Sequence, residues 1–370
     1  MAKYNSKKNL STVKNLLGEK NKWGYYVNGK TTYRNTPDDW QDEVEKKSKN
    51  EMNEFLLESA AANNRKCIQM ALTRGEKADI NAVDKDGNNA LMLAVFFASE
   101  SHLAGVKYIL DFFKDEIDLN HLNDNGFSVL HIAVHLNKPK LVEMLLEAGV
   151  SSNILGRENE TPIFIATRQD NQEMIELLKK NLANLNAVNK KGLTPLMVAG
   201  QQKDRKHAFK KLLDLGANMF AEDFRGRTAF MHVSNRPSCS AMLDMMLAKA
   251  REMDKCHNGK PNFNKLVNHQ DRDGVSSMMI IAKEGNRDAL RVLVANGANP
   301  YLKDKNGNDA LDYAIKYGNP TCKEILEKTY RIYAKAEEIE NLDERSRFLK
   351  KELWQFALQN QNKNLCVRNK

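Results

Sequence analysis

One short pattern recurs seven times between residues 84 and 315 of this 370-residue chain. A typical copy opens with Asp or Asn, reaches glycine three residues later and continues into an apolar segment, as in DKDGNNALMLAV and NKKGLTPLMVAG. Successive glycine positions lie 39, 33, 33, 34, 48 and 33 residues apart. A period of this length indicates stacked structural units rather than one closed core. Those positions are Gly87, Gly126, Asn159, Gly192, Gly226, Gly274 and Gly307, with asparagine replacing glycine in the third copy.

Each copy predicts the same local structure. The glycine supplies the left-handed backbone conformation that the turn needs, and Asn159 is of the non-glycine type that tolerates it best. A helix then starts where Thr serves as N-cap and Pro takes the first helical position, as in Thr161–Pro162 and Thr194–Pro195. Paired aliphatic residues predict a second helix, which a glycine ends. These terminal glycines are Gly149, Gly216 and Gly297.

These residues resemble the ankyrin-repeat family, which has a 33-residue period and the pattern T-P-L-H-x-A at the start of its first helix. The resemblance implies an all-α ankyrin-repeat solenoid of helix–turn–helix units, with about seven repeats, an N-terminal cap and a C-terminal helical extension. His131 and His232 stand at the histidine position of that pattern, where an imidazole ties neighbouring turns together. Asp312 at the same position marks the last repeat as a divergent cap.

The repeats divide the chain into three segments. Residues 1–50 predict a basic, partly ordered extension, in which Asn28–Gly29 favours a hairpin turn. Residues 51–330 form the predicted ankyrin-repeat domain. Its fifth repeat exceeds 33 residues by 15, and the excess near 254–265 predicts a protruding loop or an extended helix end. Residues 331–370 predict a helical cap followed by a polar tail.

The sequence carries no recognisable catalytic motif, so we expect neither an enzyme nor a bound cofactor or metal. Cys256 and His257 are adjacent, but no second Cys/His pair at zinc-ligand spacing supports a metal site. The segments outside the repeats are shorter than an ordinary catalytic domain. The five cysteines lack C-x-x-C spacing, which favours free thiols.

The N-terminal sequence lacks the apolar stretch of a signal peptide, and the apolar segment Ala90–Ala98 is too short to cross a bilayer. We therefore expect a cytoplasmic, monomeric protein without a membrane span, or one exported to a host cell without a cleaved signal peptide. The Asn/Lys-rich composition is similar to that of ankyrin-repeat proteins of intracellular bacteria and large viruses, which implies an effector. A housekeeping adaptor of the producing cell fits the same residues.

Five positions of each repeat are expected to face a partner: two and one before the turn glycine, one after it, and nine and ten after it. The net charge of the chain is +9, and bases outnumber acids at these positions in repeats three to five, which favours an acidic partner protein. Phe127 and Phe224 place aromatic rings where the core does not require them, as interface anchors do. The candidate contact residues are Phe127, His135, Leu136, Arg157, Arg168, Lys190, Lys191, Leu193, Phe224, Arg225, Arg227, Arg236 and Arg272.

The leading hypothesis is a protein–protein interaction scaffold that binds its partner on the concave ankyrin surface. The first alternative is a nucleic-acid-binding adaptor that uses the basic groove. It is not favoured, because the dense stripe of aromatic and basic residues typical of such proteins is missing. An enzyme of unfamiliar type that uses the 254–265 segment is the second alternative. A charged, solvated face without a partner fits the same residues.

Overall fold

The computed structural model describes residues 44–99, 102–202, 205–256 and 262–367. Those residues form eighteen α-helices, and the extended pairing among them is limited to isolated antiparallel bridges. The predicted all-α fold is therefore confirmed. The helices before residue 158 are α1 (Lys49–Ala61), α2 (Arg65–Thr73), α3 (Ala90–Phe97), α4 (Ala104–Phe113), α5 (Val129–His135) and α6 (Pro139–Glu147). The remaining helices are α7 (Pro162–Arg168), α8 (Gln172–Lys180), α9 (Pro195–Gly200), α10 (Lys206–Asp214), α11 (Ala229–Ser234), α12 (Ser240–Cys256), α13 (Asn262–Val267), α14 (Ser277–Glu284), α15 (Arg287–Ala295), α16 (Ala310–Lys316), α17 (Pro320–Glu337) and α18 (Leu342–Val367).

Hydrogen bonds to one side chain explain why most turns open with Asp or Asn. Asp84 Oδ1 accepts from the backbone N–H groups of Asp86 (2.9 Å) and Asn88 (2.8 Å), two and four residues further on. The glycine between them adopts a positive φ, and the equivalent Asn159 also does so, at 57°. The predicted left-handed turns are therefore confirmed. The same pair of side-chain hydrogen bonds is made by Asn123, Asn189, Asp223, Asp271 and Asp304.

The predicted helix starts are confirmed as well. Helix α9 begins with Thr194 as N-cap and Pro195 in its first turn, and the Thr194 hydroxyl accepts from the Met197 N–H at 3.3 Å. Helix α7 also begins with Thr as N-cap followed by Pro, at Thr161–Pro162, although the Thr161 hydroxyl makes no capping hydrogen bond. The turn and the helix start are thus fixed by local hydrogen bonds and backbone preferences before any contact between repeats is made.

The helices cluster into two compact units, which we call the N-terminal unit (ending at Arg157) and the C-terminal unit (beginning at Glu158). In the N-terminal unit α3 packs against α1 and α5. In the C-terminal unit the first helices of successive repeats, α9, α11, α14 and α16, pack one against the next. Phe164, Phe209 and Phe230 are fully buried there. Within each unit the apolar first helices therefore supply a continuous core, as in other stacked repeats.

The long fifth repeat contains an extended helix, which is one of the two forms predicted for residues 254–265. Helix α12 runs for 17 residues to Cys256, and α13 follows from Asn262. The Asn28–Gly29 turn predicted in the N-terminal extension lies outside the described residues. At the other end α18 continues to Val367, so most of the predicted polar tail is helical.

A cluster of tyrosines attaches α17 to the last repeat. The Tyr330 hydroxyl donates to Asp309 Oδ2 at 2.6 Å, and its oxygen lies 3.0 Å from the Pro300 carbonyl oxygen. The Tyr301 ring meets the Tyr330 ring edge to face, with centroids 4.9 Å apart. Helix α18 in turn packs against α15 and α17. The C-terminal helices therefore cover the end of the C-terminal unit, as expected for a cap.

Leu182 has an unusual backbone conformation. Among the described residues, all but two of those with positive φ are Gly, Asn or Asp, and the exceptions are Glu158 and Leu182. Leu182 has a φ of 64° at the position that follows helix α8, where Gly149, Gly216 and Gly297 follow the corresponding helices of other repeats. Its side chain is 83% exposed. A leucine in this conformation is strained because its Cβ approaches backbone atoms, and burial does not offset that strain.

Replacing Leu182 with glycine is therefore expected to raise the free energy of unfolding by about 0.5–1 kcal/mol. Relief of the left-handed strain, about 1–2 kcal/mol, outweighs the extra freedom that glycine gives the unfolded chain, about 0.4–1 kcal/mol. Urea unfolding followed by circular dichroism measures the difference. Leu182→Ala is the matched control, since it removes the exposed side chain but keeps the strained Cβ. A glycine variant less stable than the alanine variant by about 0.4–1 kcal/mol, the cost of the extra freedom of glycine alone, would show that Leu182 is not strained.

Candidate protein-binding surface

The tips of the turns carry the most exposed of the predicted positions. The two residues before the turn glycine are exposed in six of the seven repeats, and in the first repeat Lys85 is exposed and Asp86 half-buried. In the C-terminal unit, backbone hydrogen bonds hold successive turns together. The Lys190 N–H donates to the Glu158 carbonyl at 2.8 Å, and the Arg272 N–H donates to the Arg225 carbonyl at 2.9 Å. The tips therefore form an ordered row of solvent-facing side chains rather than independent loops.

Four predicted bases and one aromatic residue lie in this row. Lys190, Lys191, Arg225 and Arg272 are exposed on three consecutive turns of the C-terminal unit, and Phe224 is 61% exposed between them. The Phe224 ring lies over Gly192, where an added Cβ would come within 2.9 Å of ring carbons Cγ and Cδ1. We call these five residues the basic tip row. The absence of a side chain at Gly192 therefore lets the Phe224 ring rest on the neighbouring turn while its outer face remains in solvent.

Two other predicted arginines are paired with carboxylates. The Arg168 guanidinium bonds both carboxylate oxygens of Glu160, the second at 2.5 Å, and Glu160 also accepts from Asn189 Nδ2 at 3.1 Å. Arg227 Nε donates to Asp223 Oδ2 at 3.0 Å. Both arginines are half-buried. Their charges are partly neutralised within the fold, so the field over this surface comes mainly from the basic tip row.

Asp223 lies at the centre of a buried network. His232 Nε2 lies 2.9 Å from Asp223 Oδ2, and Gln201 Nε2 lies 3.2 Å from His232 Nδ1. Burial disfavours ionisation of Asp223, but hydrogen bonds from the Arg227 and Arg225 backbone and from the Arg227 guanidinium hold the pKa of its carboxyl below the usual value. Burial, with the Arg227 cation, lowers the pKa of His232. His232 thus connects its own turn to the preceding repeat, which is the structural role expected from the sequence.

His131 fills the same position in the N-terminal unit. Its Nδ1 accepts a hydrogen bond from the Ser128 N–H at 3.2 Å, which closes the start of α5. Of the predicted contact residues nearby, His135 and Arg157 are exposed, whereas Phe127 and Leu136 are half-buried. The Phe127 ring meets the His131 ring with centroids 6.2 Å apart. Part of the aromatic surface expected at Phe127 is therefore used to pack against the turn.

The prediction that Leu193 and Arg236 are exposed is wrong. Leu193 is 8% exposed, and the position after the turn glycine is at least half-buried in every repeat, because the chain turns there into the first helix. Arg236 is 6% exposed. Its guanidinium donates to the Gly200 carbonyl at 3.1 Å and lies 3.0 Å from the Met242 sulfur. Arg236 therefore caps the end of α9 from the next repeat instead of facing solvent.

Another solvent-facing position, four residues before the turn glycine, was not among the predicted contact positions. It carries Val83, Leu122 and Leu155 in the N-terminal unit, and these side chains are 46%, 40% and 54% exposed. The signal was available in the alignment of the repeats, because the same column holds Glu222, Gln270 and Lys303 in the last three repeats. A column that accepts charged and polar residues is unlike a core column, so aliphatic residues in it are exposed.

Two other kinds of site are absent from the described part of the chain. No group of three or more His, Cys, Asp and Glu side chains there is arranged to hold a metal ion. None of the described helices is both long and apolar enough to cross a membrane. The His257 side chain and the Cys256 side chain lie outside the described residues. Cys67, Cys239 and Cys322 are buried free thiols, as predicted for cysteines, and burial raises the pKa of Cys239 to about 11.

Each unit is thus a stack of helix pairs whose turns present variable side chains to solvent, which is the architecture of a stacked-repeat protein. The family model described as ankyrin repeats matches residues 56–155, 148–223 and 253–336, more than half of the chain. The chain belongs to the ankyrin-repeat family. This confirms the resemblance drawn from the turn glycines and the helix starts.

The sequence relatives match this chain over only part of its length. The start control protein cdc10 of Schizosaccharomyces pombe is 30% identical over 120 residues, which cover 30% of this chain and 16% of that protein. The neurogenic locus notch homolog protein 1 of Homo sapiens is 29% identical over 108 residues, which cover 29% of this chain and 4% of that protein. The crystal structure of the ankyrin repeat domain of Bcl-3 superposes with a TM-score of 0.55 at 25% identity, over 66% of this chain and all of that domain. The chain therefore spans only a small part of the sequence relatives it matches.

Proposed function

We propose that the protein is a non-enzymatic interaction scaffold and that the basic tip row binds an acidic surface of a partner protein. Ankyrin repeats typically mediate protein–protein interaction, which supports the general role. The observation that carries the finer proposal is the placement of Lys190, Lys191, Arg225 and Arg272 around Phe224 on consecutive turns. Cationic side chains accelerate association with an acidic surface, and an aromatic side chain at their centre slows dissociation.

The local charges support this choice of partner. The next turn adds Lys305, whose ammonium lies 3.9 Å from Asp273 Oδ1, and Glu158 is the other exposed acid on the tips of this unit. The row therefore keeps a net positive charge after that pairing is counted. An exported effector and an adaptor of the producing cell are both compatible with such a surface, and the Asn/Lys-rich composition supports the effector. We infer that the protein acts as a monomer in either setting.

The test uses the full chain and a fluorescent acidic peptide that contains one central tryptophan between glutamates. Reversing the charge at Arg225 and Arg272 together should lower the association rate at least tenfold at low salt and flatten its salt dependence, because the steering field is lost. Phe224→Ala should raise the dissociation rate about thirtyfold, which corresponds to about 2 kcal/mol for an aromatic anchor. Stopped-flow fluorescence at two salt concentrations measures both rates.

The matched control is charge reversal at Lys179 and Lys180, two exposed bases at the end of α8 in the same unit. If this control weakens binding as much as the tip variant, the attraction is a property of the net charge and the proposal fails. A single-stranded oligonucleotide of the same charge serves as competitor. Tighter binding of the oligonucleotide than of the peptide, with the same loss at the tips, would favour the nucleic-acid-binding alternative instead.

A further inference from the structure

The last repeat leaves one side of its first helix exposed. Within the described residues α16 packs against α14 and α17, and α18 packs against α15 and α17. Eight positions after the turn glycine, α16 carries Ile315, which is 54% exposed. We call this side of α16 the end face. The residue at the same position is buried in each of the six preceding repeats, where it is Val95, Val134, Thr167, Gly200, Ser234 or Ala282.

Two adjacent positions differ in the same way. Leu311 is half-buried and Asp312 is exposed, whereas the residues four and five positions after the turn glycine are buried in the other repeats. Lys316, which follows Ile315, is exposed as well. Asp312 Oδ2 accepts from the Asp309 N–H at 3.0 Å, so its carboxylate also closes the start of α16. The end face thus has the polar residues that a terminal repeat needs for solubility, and Ile315 is an aliphatic exception among them.

Inside the stack, the following first helix covers this position. An added Cβ at Gly200 of α9 would lie 3.0 Å from Val233 Cγ2 and 3.6 Å from the Ala229 carbonyl oxygen, both in α11. Val233 and Ala229 stand seven and three positions after their own turn glycine. The eighth position of one repeat therefore meets the third and seventh positions of the next repeat. Ile315 is an eighth position that no further first helix follows in the described chain.

The eighth residue and the seventh residue of the next repeat compensate for each other in size. A small eighth residue precedes a branched seventh residue at Gly200 and Val233, and a branched eighth residue precedes alanine at Thr167 and Ala199. The pairs within the two units are Val95–Ala133, Thr167–Ala199, Gly200–Val233, Ser234–Ile281 and Ala282–Ala314, and all their members are buried. None of these five pairs joins two branched side chains, because a close-packed interface lacks room for both. A helix that packs on Ile315 therefore needs a small residue at the facing position, and alanine suits a helix best.

We propose that the end face binds an α-helix of a partner protein that carries alanine opposite Ile315 and another small residue four positions earlier. The helix continues the packing that already joins α9 to α11 and α14 to α16. Binding removes Ile315 and Leu311 from water, which stabilises the complex. The end face shares no residue with the basic tip row and takes a different ligand, so the inference extends the scaffold function to a second surface.

The experiment uses the full chain and a fluorescently labelled, end-capped helical peptide of about 20 residues, since shorter helices are marginal in water. This alanine peptide has alanines along one side and Glu–Lys pairs elsewhere, so it carries no net charge that would draw it to the basic tip row. Fluorescence anisotropy measures the Kd, which Ile315→Gln should raise about tenfold or more. Val188→Gln changes an aliphatic residue of the same unit that is 51% exposed, and this matched control should leave the Kd unchanged.

A size swap tests the facing pair directly. In a leucine peptide, leucine replaces the alanines that can face Ile315, and this peptide should bind the wild type about tenfold more weakly because two large side chains do not fit. Ile315→Ala should reverse the order and bind the leucine peptide more tightly than the alanine peptide, just as Gly200 accommodates Val233. Circular dichroism melting confirms that the variants remain folded.

Three results would overturn the inference. The absence of saturable binding between the alanine peptide and the wild type would reject it outright. Equal Kd values of the two peptides for the wild type would mean unspecific apolar adhesion. A wild-type dimer in analytical ultracentrifugation that Ile315→Gln dissociates would identify a second copy of the chain as the occupant. The acidic peptide of the basic tip row should bind Ile315→Gln as it binds the wild type, so failure at the end face leaves the basic tip row intact.

Discussion

Replacing Asp223 with alanine is expected to lower the free energy of unfolding by about 3–5 kcal/mol, the cost of removing one partner from a buried ion pair. The Asp223 carboxylate is 4% exposed and accepts from the backbone N–H groups of Arg225 (2.8 Å) and Arg227 (3.0 Å). It also accepts from the Arg227 guanidinium and contacts His232. Alanine leaves all of these groups without their acceptor. Urea unfolding at neutral pH measures the loss.

Two matched variants separate the turn from the charge. Asp223→Asn keeps an oxygen acceptor for the turn but removes the negative charge, so about half of the loss should remain. Asp304→Ala removes the equivalent acid of the last repeat, which binds Asn306, Asn308 and the Tyr313 hydroxyl but no cation. Its cost should be nearer 1–3 kcal/mol, as for an unsatisfied hydrogen-bonding group. An Asp223→Ala variant no less stable than Asp304→Ala would show that the Arg227 and His232 contacts add nothing to stability.

The fold was well predicted from the sequence because short-range interactions determine the structure of each turn. The Asx hydrogen bonds, the positive φ of glycine and the Thr–Pro helix start all act within a few residues, so they can be recognised without knowing the tertiary structure. Asn159 illustrates this point, since its tolerance of positive φ predicted a turn that lacks the usual glycine. Leu182 illustrates the opposite case. Its immediate neighbours do not distinguish a strained leucine from an ordinary helix end, and only the aligned repeats, which place it in the column of Gly149, Gly216 and Gly297, indicate its positive φ.

The binding surface was less predictable, because exposure depends on side-chain reach and on neighbouring repeats. Arg236 lies ten residues after its turn glycine, a position that was expected to be exposed at the end of the first helix. Helix α11 ends earlier, at Ser234, and the chain then turns inward. Arg227 shares its column with Leu193, yet its longer side chain reaches Asp223. The exposed column of Val83, Leu122 and Leu155 was missed because the predicted positions were chosen around the turn glycine alone. Comparing whole columns of the aligned repeats identifies it without a structure.

Replacing Gly192 with valine is expected to lower the free energy of unfolding by about 3 kcal/mol or more, the sum of two separate effects. Gly192 has a φ of 73°, where a β-branched residue costs about 1–3 kcal/mol. An added Cβ would also lie 2.8 Å from the Phe224 backbone nitrogen and 2.9 Å from two carbons of its ring. The exposed ring can rotate away, but the backbone nitrogen belongs to the next turn and cannot move alone. Overpacking of this kind costs about 1–3 kcal/mol.

Gly216→Val is the matched control, because Gly216 has a φ of 84° but no atom within 4 Å of an added Cβ. It carries the backbone strain without the clash, so thermal and urea unfolding of the two variants isolate the contact between neighbouring turns. We expect Gly192→Val to be the less stable by at least about 1 kcal/mol. Because stability in stacked repeats is coupled between neighbours, the amide groups of the turn around Phe224 should also lose protection from hydrogen exchange in Gly192→Val. In Gly216→Val those amide groups should keep their protection from hydrogen exchange. Equal stability of the two variants, with unchanged exchange of the Arg225, Gly226 and Arg227 amide groups, would mean that the turns do not support one another through this contact.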